Sequence, residues 1–407
     1  MSYRILRITN FYEEYLNAYY QGFPDIHKSN YIEQYNHLIN DSVEIVSSYS
    51  KNLRKLGVDA FDIVSNAHIL QKTWAKENNI PQYISKQELI FKQIKHYKPD
   101  IVWIDDSLLM NKNWLKYLRT EIPSIKLIVG HICAPYNSEI ANSFTSFDIM
   151  FTCTPCLKKE ISSYGVSTQL LYHAFDNSIL DLIKKDAEIL ESDFVFTGSL
   201  YTGYGFHKKR IEYIEKMIDN GIDISIYGNL ESQSKIRLKR WGYHTINFLR
   251  NIKCDFLIEG IPVTKKHKNY GEEDVRYYSK NLINSVKPPI FGLEMLKMLS
   301  KSKVCFNIHG EIAKKCAGNV RLFEATGVGT CLVTDWKENL DQLFELEKEV
   351  VTYKTINECI EKVSWLLNNP SEASKIAKTG QVRTLKDHTI MNRATIINAV
   401  FKKELQK

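Results

Sequence analysis

Residues 307–335 read NIHGEIAKKCAGNVRLFEATGVGTCLVTD, and this stretch decides the fold class. An apolar run ends in a polar loop, a short helical segment follows, and a glycine-rich turn leads into a second apolar run. A strand, a crossover helix and another strand in this order are typical of two parallel strands in an α/β sheet. The segment therefore predicts a Rossmann-like sheet with helices on its faces.

The same alternation runs through the rest of the chain and predicts two domains. The 407 residues exceed the roughly 250 to 300 at which a single hydrophobic core stops growing. We place one Rossmann-like domain at residues 1–180, a second at 192–383 and a last helix at 384–407. Residues from about 230 to 287 mix basic and aromatic side chains without a clear period, which predicts an irregular insertion near the cleft.

Charge and hydropathy limit the classes of partner and location. The net charge of +7 is too small to indicate a nucleic-acid partner, although it favours phosphates or an anionic membrane surface. The first residues lack a signal-peptide pattern, and no apolar run reaches 18 residues. We therefore expect a cytoplasmic protein that is at most peripherally associated with the inner face of the membrane.

The eight cysteines are predicted to be reduced, since most of them lie in apolar runs where a small hydrophobic side chain fits. Cys153 and Cys156 form one CxxC pair. The sequence offers no second CxxC or CxxH pair to complete four zinc ligands. No metal site is therefore predicted.

The helix inside residues 307–335 is the first candidate for a binding site. If it opens at Gly318 and Asn319, its free backbone N–H groups would face a diphosphate. Arg321 would add a bidentate phosphate contact, and Glu324 would accept hydrogen bonds from ribose hydroxyls. Gly327 would keep the backbone close to the ligand. The alternative is an i,i+3 ion pair between Arg321 and Glu324, with the glycines only marking a turn.

Two further segments are predicted to face the same ligand. The loop TGSLYTGYG, residues 197–205, follows the first strand of the second domain, so Gly198, Ser199 and Leu200 are candidates for phosphate or sugar contact. His309 comes at the end of another strand. Ligands in open α/β sheets bind beyond the carboxyl ends of the strands. The sequence therefore predicts that these residues lie at one edge of the second sheet.

Three residues of the first domain are candidates for a catalytic base. Asp105, Asp106 and His131 each follow an apolar strand, so they are expected at the carboxyl edge of the first sheet. The alternative is that the aspartates cap a helical turn and that His131 is a hydrogen-bonded residue at the edge of the core.

The segments FGLEMLKMLSKSKVCFNIHG, NVRLFEATGVGTCLVTD and IAKTGQVRTLKDHTIMNR lie between Pro288 and about Arg393. In this region the chain resembles the C-terminal domain of the CgeB-like (YkvP/CgeB type) bacterial glycosyltransferases. In the first half, LLYHAFD at residues 170–176 looks like the segment between the domains of GT-B enzymes, where a histidine, here His173, precedes the donor domain.

The resemblance implies a GT-B architecture, with two Rossmann-like domains facing across a cleft and the last helix crossing back to the first domain. It implies that the second domain binds the nucleotide-sugar donor and that no metal or other cofactor is required. The ribose-binding carboxylate of the family falls on Glu324, and the neighbouring amide and guanidinium fall on Asn319 and Arg321. Retaining enzymes often carry glutamates eight positions apart, whereas here Glu311 lies thirteen positions before Glu324, which leaves the stereochemistry open.

The function expected from these features is metal-independent transfer of a sugar from a nucleoside diphosphate sugar to a glycan, a lipid-linked molecule or a protein. Two alternatives remain at this point. A nucleotide-sugar epimerase would share the architecture and act without an acceptor. A catalytically silent GT-B protein would bind a nucleotide or glycan without turnover.

Overall fold

The computed structural model describes residues 2–41, 45–81, 83–183, 192–202, 208–261, 265 and 275–407. Within these ranges each half of the chain forms a parallel sheet of six strands, with helices packed against it. The α/β fold class with two Rossmann-like domains is confirmed.

The N-terminal sheet contains β1 (Arg4–Thr9), β2 (Asp59–Val64), β3 (Ile101–Ile104), β4 (Leu127–His131), β5 (Ile149–Thr152) and β6 (Thr168–Leu170). The strand order is β2-β1-β3-β4-β5-β6. Its helices are α1 (Glu13–Gly22), α2 (Tyr31–Asp41), α3 (Ile45–Lys55), α4 (His68–Glu77), α5 (Lys86–Tyr97), α6 (Lys112–Glu121), α7 (Ser138–Ser143) and α8 (Pro155–Ser162). The next helix, α9 (Ile179–Ile183), packs against the C-terminal domain, since Ile179 belongs to the apolar cluster of Val195 and Leu296. Strands β3 and β5 are buried at every residue, because helices cover both faces of the sheet.

The C-terminal sheet contains β7 (Ser192–Thr197), β8 (Ser225–Tyr227), β9 (Val286–Lys287), β10 (Ser302–Asn307), β11 (Cys331–Asp335) and β12 (Val351–Tyr353). The strand order is β12-β11-β10-β7-β8-β9, so β7, β10 and β11 are neighbours. Its helices are α10 (Lys208–Asp219), α11 (Gln233–Asn251), α12 (Asp255–Gly260), α13 (Lys280–Ser285), α14 (Gly292–Ser300), α15 (Arg321–Val328), α16 (Ile356–Asn368) and α17 (Pro370–Asp387). Short 3-10 helices lie at Pro24–Lys28, Ser107–Leu109, Phe144–Ser146, Glu311–Ala313 and Leu340–Gln342.

The last helix, α18 (Ile390–Glu404), crosses back to the N-terminal domain, as predicted. Its buried residues Ile397 and Phe401 belong to the same apolar cluster as Tyr49 of α3 and Trp103 of β3. The two chain segments that cross between the domains also pair with each other, since Phe175 N donates to the carbonyl of His388 at 2.9 Å. The crossing helix therefore fastens the C-terminal end of the chain to the first sheet.

The predicted irregular insertion proved wrong for its first part. Residues 233–251 form α11, a helix of 19 residues. Its buried residues are Ile236 and Ile246, ten positions apart, so the helix lacks the apolar stripe that would have revealed it. Residues 262–264 and 266–274 of this region, and residues 203–205 of the predicted glycine loop, lie outside the described residues.

The prediction that all eight cysteines are reduced was also wrong. Cys156, in the first turn of α8, forms a disulfide with Cys316, which precedes α15 in the other domain. Their sequence separation of 160 gives no local signal of pairing, and only the meeting of the two domains brings the sulfurs together. Among the described residues, no helix is both long and apolar enough to cross a membrane.

Candidate functional site

Three neighbouring strands of the C-terminal sheet end at one edge of the cleft. Gly198 follows β7, His309 comes two residues after β10, and Asp335 is the last residue of β11. Because β11, β10 and β7 are adjacent and parallel, their carboxyl ends meet. The predicted positions of Gly198 and His309 at one edge are therefore found, and Asp335 lies beside them.

Asp335 binds one ring nitrogen of His309, and the other ring nitrogen has no hydrogen-bond partner. Nδ1 of His309 lies 2.7 Å from Oδ1 of Asp335, which also accepts the His309 backbone N–H at 2.9 Å. Burial would raise the pKa of Asp335, but the charges of His309 and Lys337 lower it to about 2. Because Nδ1 donates to the carboxylate, Nε2 is the nitrogen that remains, and it is buried with no hydrogen-bond partner.

Arg210, on α10, is a site residue that the sequence analysis missed. Its guanidinium donates from Nη1 to the carbonyl of Ser199 at 2.9 Å and from Nη2 to the carbonyl of Ile308 at 3.2 Å, while its buried Nε has no partner. Burial and the nearby charge of Arg321 lower the pKa of Arg210 to about 10. The two positive guanidinium groups repel each other, and an anion bound beside them would relieve this repulsion. The signal in the sequence was HKKR at residues 207–210, which begins two residues after the last glycine of the loop.

The helix α15 carries the predicted pair Arg321 and Glu324. It begins at Arg321, so the expected start at Gly318 and Asn319 was too early. Nη1 of Arg321 lies 2.9 Å from Oε2 of Glu324, which is the i,i+3 ion pair of the alternative interpretation. The contact does not have hydrogen-bond geometry, and Oε2 is buried with no hydrogen-bond partner. Glu324 is therefore charge-compensated and still able to accept a hydrogen bond.

Asn319 lies just before α15 and is paired with another amide. Its Nδ2 donates to Oδ1 of Asn307, the last residue of β10, at 2.7 Å. Asn307 in turn donates to Oγ1 of Thr334 at 2.9 Å. These hydrogen bonds join the start of α15 to the ends of β10 and β11.

Gly327 lies inside α15 and faces the protein interior. A Cβ atom there would lie 2.3 Å from Cγ of Phe175, in the segment that connects the domains. The close approach of a buried phenyl ring accounts for glycine at this position. Its predicted contact with the donor stays a prediction.

The glycine loop after β7 is anchored to its neighbours. Gly198 lies close to Arg210, since a Cβ on this glycine would be 3.3 Å from Nη1 of that guanidinium. Leu200 is fully buried, and its carbonyl accepts the hydroxyl of Tyr278. Ser199 offers its carbonyl to Arg210. The loop is therefore held by its backbone carbonyls, and the Leu200 side chain lies in the core.

In the N-terminal domain, Asp105 and His131 form a pair at the ends of β3 and β4. Nδ1 of His131 lies 3.2 Å from Oδ1 of Asp105, whose other oxygen pairs with Arg7. Burial would raise the pKa of Asp105, but the charges of Arg7 and His131 hold it below its usual value. The second nitrogen of His131, Nε2, faces Sγ of Cys133 at 3.3 Å. The catalytic roles predicted for this pair stay predictions.

Asp106 is fully buried and saturated with hydrogen bonds. Its carboxylate accepts from Oγ of Ser65 at 2.6 Å, from Nζ of Lys86 at 2.7 Å and from the backbone N–H of Leu108 at 3.1 Å. This is the capping arrangement of the alternative interpretation. Its predicted role as a base stays a prediction.

A cluster of two cysteines and a histidine lies at the ends of the last three strands of the N-terminal sheet. The ligand atoms of Cys133, Cys153 and His173 lie within 4.8 Å of one another. The Cys133 thiol and the His173 imidazole lower the pKa of Cys153, and Cys153 and the Glu324 carboxylate raise the pKa of His173 against the effect of its burial. His173 therefore belongs to this cluster and also responds to the charge of Glu324 in the opposite domain.

The two domains touch directly beside this cluster. Gly318 approaches the β5–α8 turn so closely that an added Cβ would lie 2.3 Å from the carbonyl oxygen of Cys153. The disulfide Cys156–Cys316 fastens the same contact. The β5–α8 turn and the segment before α15 therefore form one floor of the cleft.

Two surface cavities lie apart from these donor-side residues. One of about 780 Å³ is bounded by α16 and α17 and includes Trp365 in its lining. The charges of its lysines are compensated by ion pairs with glutamates, so this larger cavity lacks an uncompensated cation for an anionic ligand. The lysines are Lys348, Lys362 and Lys375. Another, of about 260 Å³, lies between α4 and α5 beside the Ser65 and Lys86 partners of Asp106. The candidate donor site is therefore identified by the polar atoms that meet at the edge of the C-terminal sheet, and not by the volume of a cavity.

Residues 210–399 match the family model of glycosyl transferase-like proteins. None of the curated proteins matches the sequence significantly. Among solved structures, the chain is similar to a glycosyltransferase from Rickettsia africae, with a TM-score of 0.56 and 10% identity over 100% of this chain and 99% of the other. It is also similar to Anabaena HepE in complex with UDP-glucose, with a TM-score of 0.57 and 11% identity over 98% of this chain and 100% of the other.

A third similar structure is the sucrose-phosphate synthase of Thermosynechococcus elongatus, with a TM-score of 0.54 and 11% identity over 99% of both chains. At these identities the likeness shows the fold, which is GT-B. The protein therefore combines a glycosyl transferase-like C-terminal half with a GT-B fold over its whole length.

Proposed function

We propose that the protein is a metal-independent glycosyltransferase that takes a sugar from a nucleoside diphosphate sugar bound by its C-terminal domain. The observation that carries this proposal is a set of three buried polar atoms without hydrogen-bond partners. They are Nε of Arg210, Nε2 of His309 and Oε2 of Glu324. A buried hydrogen-bonding atom left without a partner costs about 1–3 kcal/mol, so a ligand that pairs Nε of Arg210 and Nε2 of His309 would gain correspondingly. Oε2 of Glu324 already has the ion pair with Arg321 and would gain a hydrogen bond in addition.

The chemistry of the three atoms fits the two polar parts of such a donor. Arg210 and Arg321 are cations beside the glycine loop and the start of α15, where diphosphate oxygens would accept charge-assisted hydrogen bonds. His309 adds Nε2, aligned by Asp335. Glu324 would accept hydrogen bonds from ribose hydroxyls, with Arg321 balancing its charge.

Catalysis then consists chiefly of stabilising the departing nucleoside diphosphate. As the bond from the sugar carbon to the diphosphate oxygen breaks, negative charge grows on that oxygen. Fixed guanidinium groups in a buried site stabilise this charge without reorganisation of water. This supports transfer without a metal at the diphosphate.

The acceptor would approach from the N-terminal domain. We propose a glycan, lipid-linked or protein acceptor at the carboxyl edge of the first sheet, where the cavity of about 260 Å³ opens beside Ser65 and Lys86. A role in cell-surface glycan synthesis, in the cytoplasm and at the inner membrane face for a lipid-linked acceptor, agrees with the basic net charge. The kinship with CgeB-like enzymes is part of this proposal.

The first test is binding followed by turnover. UDP, GDP, CDP and dTDP sugars are screened by thermal shift, beginning with UDP-glucose, which is bound in the similar HepE structure. A ligand that binds only the folded state raises its apparent stability. We expect selective stabilisation by one nucleotide, and loss of it in Arg210→Lys, because lysine cannot reproduce the three-nitrogen geometry.

Turnover assays distinguish a transferase from an epimerase and from a silent binding protein. Acceptor-dependent appearance of a glycosylated product, undiminished when Mg²⁺ is omitted, supports the transferase. Acceptor-free interconversion of the donor sugar would show an epimerase, and selective binding without turnover on any acceptor would show a silent binding protein. Absence of binding to all four nucleotides would contradict the proposed donor site.

A further inference from the structure

The ends of three adjacent strands bring together a set of side chains suited to a soft metal ion. Cys133 lies two residues after β4, Cys153 directly follows β5, and His173 lies three residues after β6. These strands are neighbours in the order β4-β5-β6, so their carboxyl ends meet. The two sulfurs and one ring nitrogen lie within 4.8 Å of one another.

His131, the last residue of β4, lies beside this cluster but is not one of its ligands. Its Nε2 lies 3.3 Å from Sγ of Cys133, while its Nδ1 lies 3.2 Å from Oδ1 of Asp105. The ligand atoms that all lie within 4.8 Å of one another belong to Cys133, Cys153 and His173. The cluster therefore offers three protein ligands.

The donor set favours zinc. Two thiolates and one imidazole are ligands that zinc binds with bonds of about 2.3 Å to sulfur and about 2.0 Å to nitrogen, and zinc sites with three protein ligands keep a fourth position for water or substrate. The three ligand atoms, all within 4.8 Å of one another, are grouped closely enough to contact one such ion.

We propose that Cys133, Cys153 and His173 bind one zinc ion at the floor of the cleft. The ion would clamp the carboxyl ends of β4, β5 and β6. With three protein ligands, a water molecule would complete the tetrahedron.

Two simpler states of the cluster are distinct from this proposal. Buried cysteines commonly serve as small apolar side chains. Cys133 and Cys153 could also be oxidised to a disulfide, which would remove both sulfur ligands. The experiment has to separate a bound metal from both states.

The full-length protein is purified with a reductant and without chelators, and its zinc content is measured by mass spectrometry. We expect about one zinc per chain. After zinc removal under reducing conditions, Co²⁺ is titrated in as a spectroscopic probe. A tetrahedral thiolate site gives an intense sulfur-to-cobalt charge-transfer band together with strong d–d bands.

Variants identify the ligands. Cys133→Ser combined with Cys153→Ser should abolish the charge-transfer band and the bound zinc. Cys254→Ser, at a free cysteine of the other domain, is the matched control and should change neither. His173→Gln removes only the nitrogen ligand, so it should weaken cobalt binding while the charge-transfer band persists at saturating cobalt.

Reduced wild-type protein that takes up cobalt without a thiolate band, or no more tightly than the double serine variant, would overturn the proposal. If that double variant does not fold, the wild-type band and the cobalt affinity of His173→Gln decide the matter. The proposal is independent of the sugar-transfer function, because its readout is metal binding. Nucleotide stabilisation measured on the same variants distinguishes a failure of one proposal from a failure of the other.

Discussion

His309 and Asp335 join the ends of two adjacent strands, with Nδ1 of the histidine 2.7 Å from Oδ1 of the aspartate. The same carboxylate oxygen accepts the His309 backbone N–H, so one residue fixes both the ring and the chain of the other. The side chain of His309 is completely buried, and that of Asp335 is 16% exposed. This contact aims Nε2 of His309 at the proposed donor site.

Asp335→Asn should destabilise the protein in a pH-dependent way. The pKa of Asp335 falls from 3.8 in the unfolded chain to about 2 in the fold, which corresponds to about 2 kcal/mol of unfolding free energy. Because the folded-state pKa is the lower one, this contribution is complete above about pH 4 and disappears as the pH falls through about 2. Urea unfolding of both proteins from pH 6 to pH 2 measures the difference. A difference that does not shrink toward pH 2 would show that the carboxylate charge is not responsible.

Glu324→Gln should weaken nucleotide binding while leaving the fold intact. The carboxylate has one buried oxygen without a hydrogen-bond partner, and an amide of the same shape accepts hydrogen bonds from ribose less strongly. We expect the Kd for the selected nucleotide to rise about 10- to 100-fold, equal to about 1.4–2.7 kcal/mol. Isothermal titration calorimetry measures it, with Glu361→Gln on the exposed face of α16 as the control. An unchanged Kd would remove Glu324 from the site.

Gly327→Ala should lower stability without changing donor affinity. Its Cβ would lie 2.3 Å from the ring of Phe175, so the buried phenyl group or the helix must move. Overpacking of this kind costs about 1–3 kcal/mol. Thermal unfolding measures the loss, and Gly22→Ala is the control because a Cβ there meets nothing within 4 Å. If the variant instead keeps its stability and loses nucleotide affinity, Gly327 contacts the donor, as its sequence position suggested.

The sequence predicted those features that follow from a local pattern. Apolar runs that alternate with helices predicted two parallel sheets, and the rule that ligands bind beyond strand ends located His309 and the Asp105–His131 pair at sheet edges. The return of the last helix to the first domain was expected from the resemblance to GT-B enzymes. Each of these predictions needs only the type of element and its direction.

Other features depend on which strands are neighbours, and a local pattern does not encode that. Cys133, Cys153 and His173 are separated by twenty residues at each step and form no spacing motif, yet β4, β5 and β6 lie side by side. A CxxC pair lies along one segment of the chain, whereas these three side chains come together from three neighbouring strands. The disulfide Cys156–Cys316 was missed for the same reason, because it depends on how two domains meet.

Acidification should lower the free energy of unfolding through His388 at a higher pH than through Asp335. It lies between α17 and α18, where Nε2 donates to the carbonyl of Leu343 at 2.9 Å and Nδ1 accepts from Nη2 of Arg393 at 3.0 Å. Burial, together with the Arg393 charge, lowers the pKa of His388 from 6.5 to about 4, although the Leu343 carbonyl opposes the shift. Protonation of Nδ1 would break the hydrogen bond from Arg393 and bring two positive charges together.

The folded-state pKa of His388 lies below its unfolded value, so the native state prefers the neutral ring. Its contribution of about 3 kcal/mol is therefore complete above about pH 6.5 and is lost as the pH falls to about 4. In His388→Gln the free energy of unfolding should depend less on pH over this window. His96→Gln, at an exposed histidine, should keep the pH dependence of the wild type. Denaturant unfolding at half-unit pH steps measures both. A wild-type slope that persists in His388→Gln would mean that another group titrates there, and that the crossing between the domains is insensitive to acid.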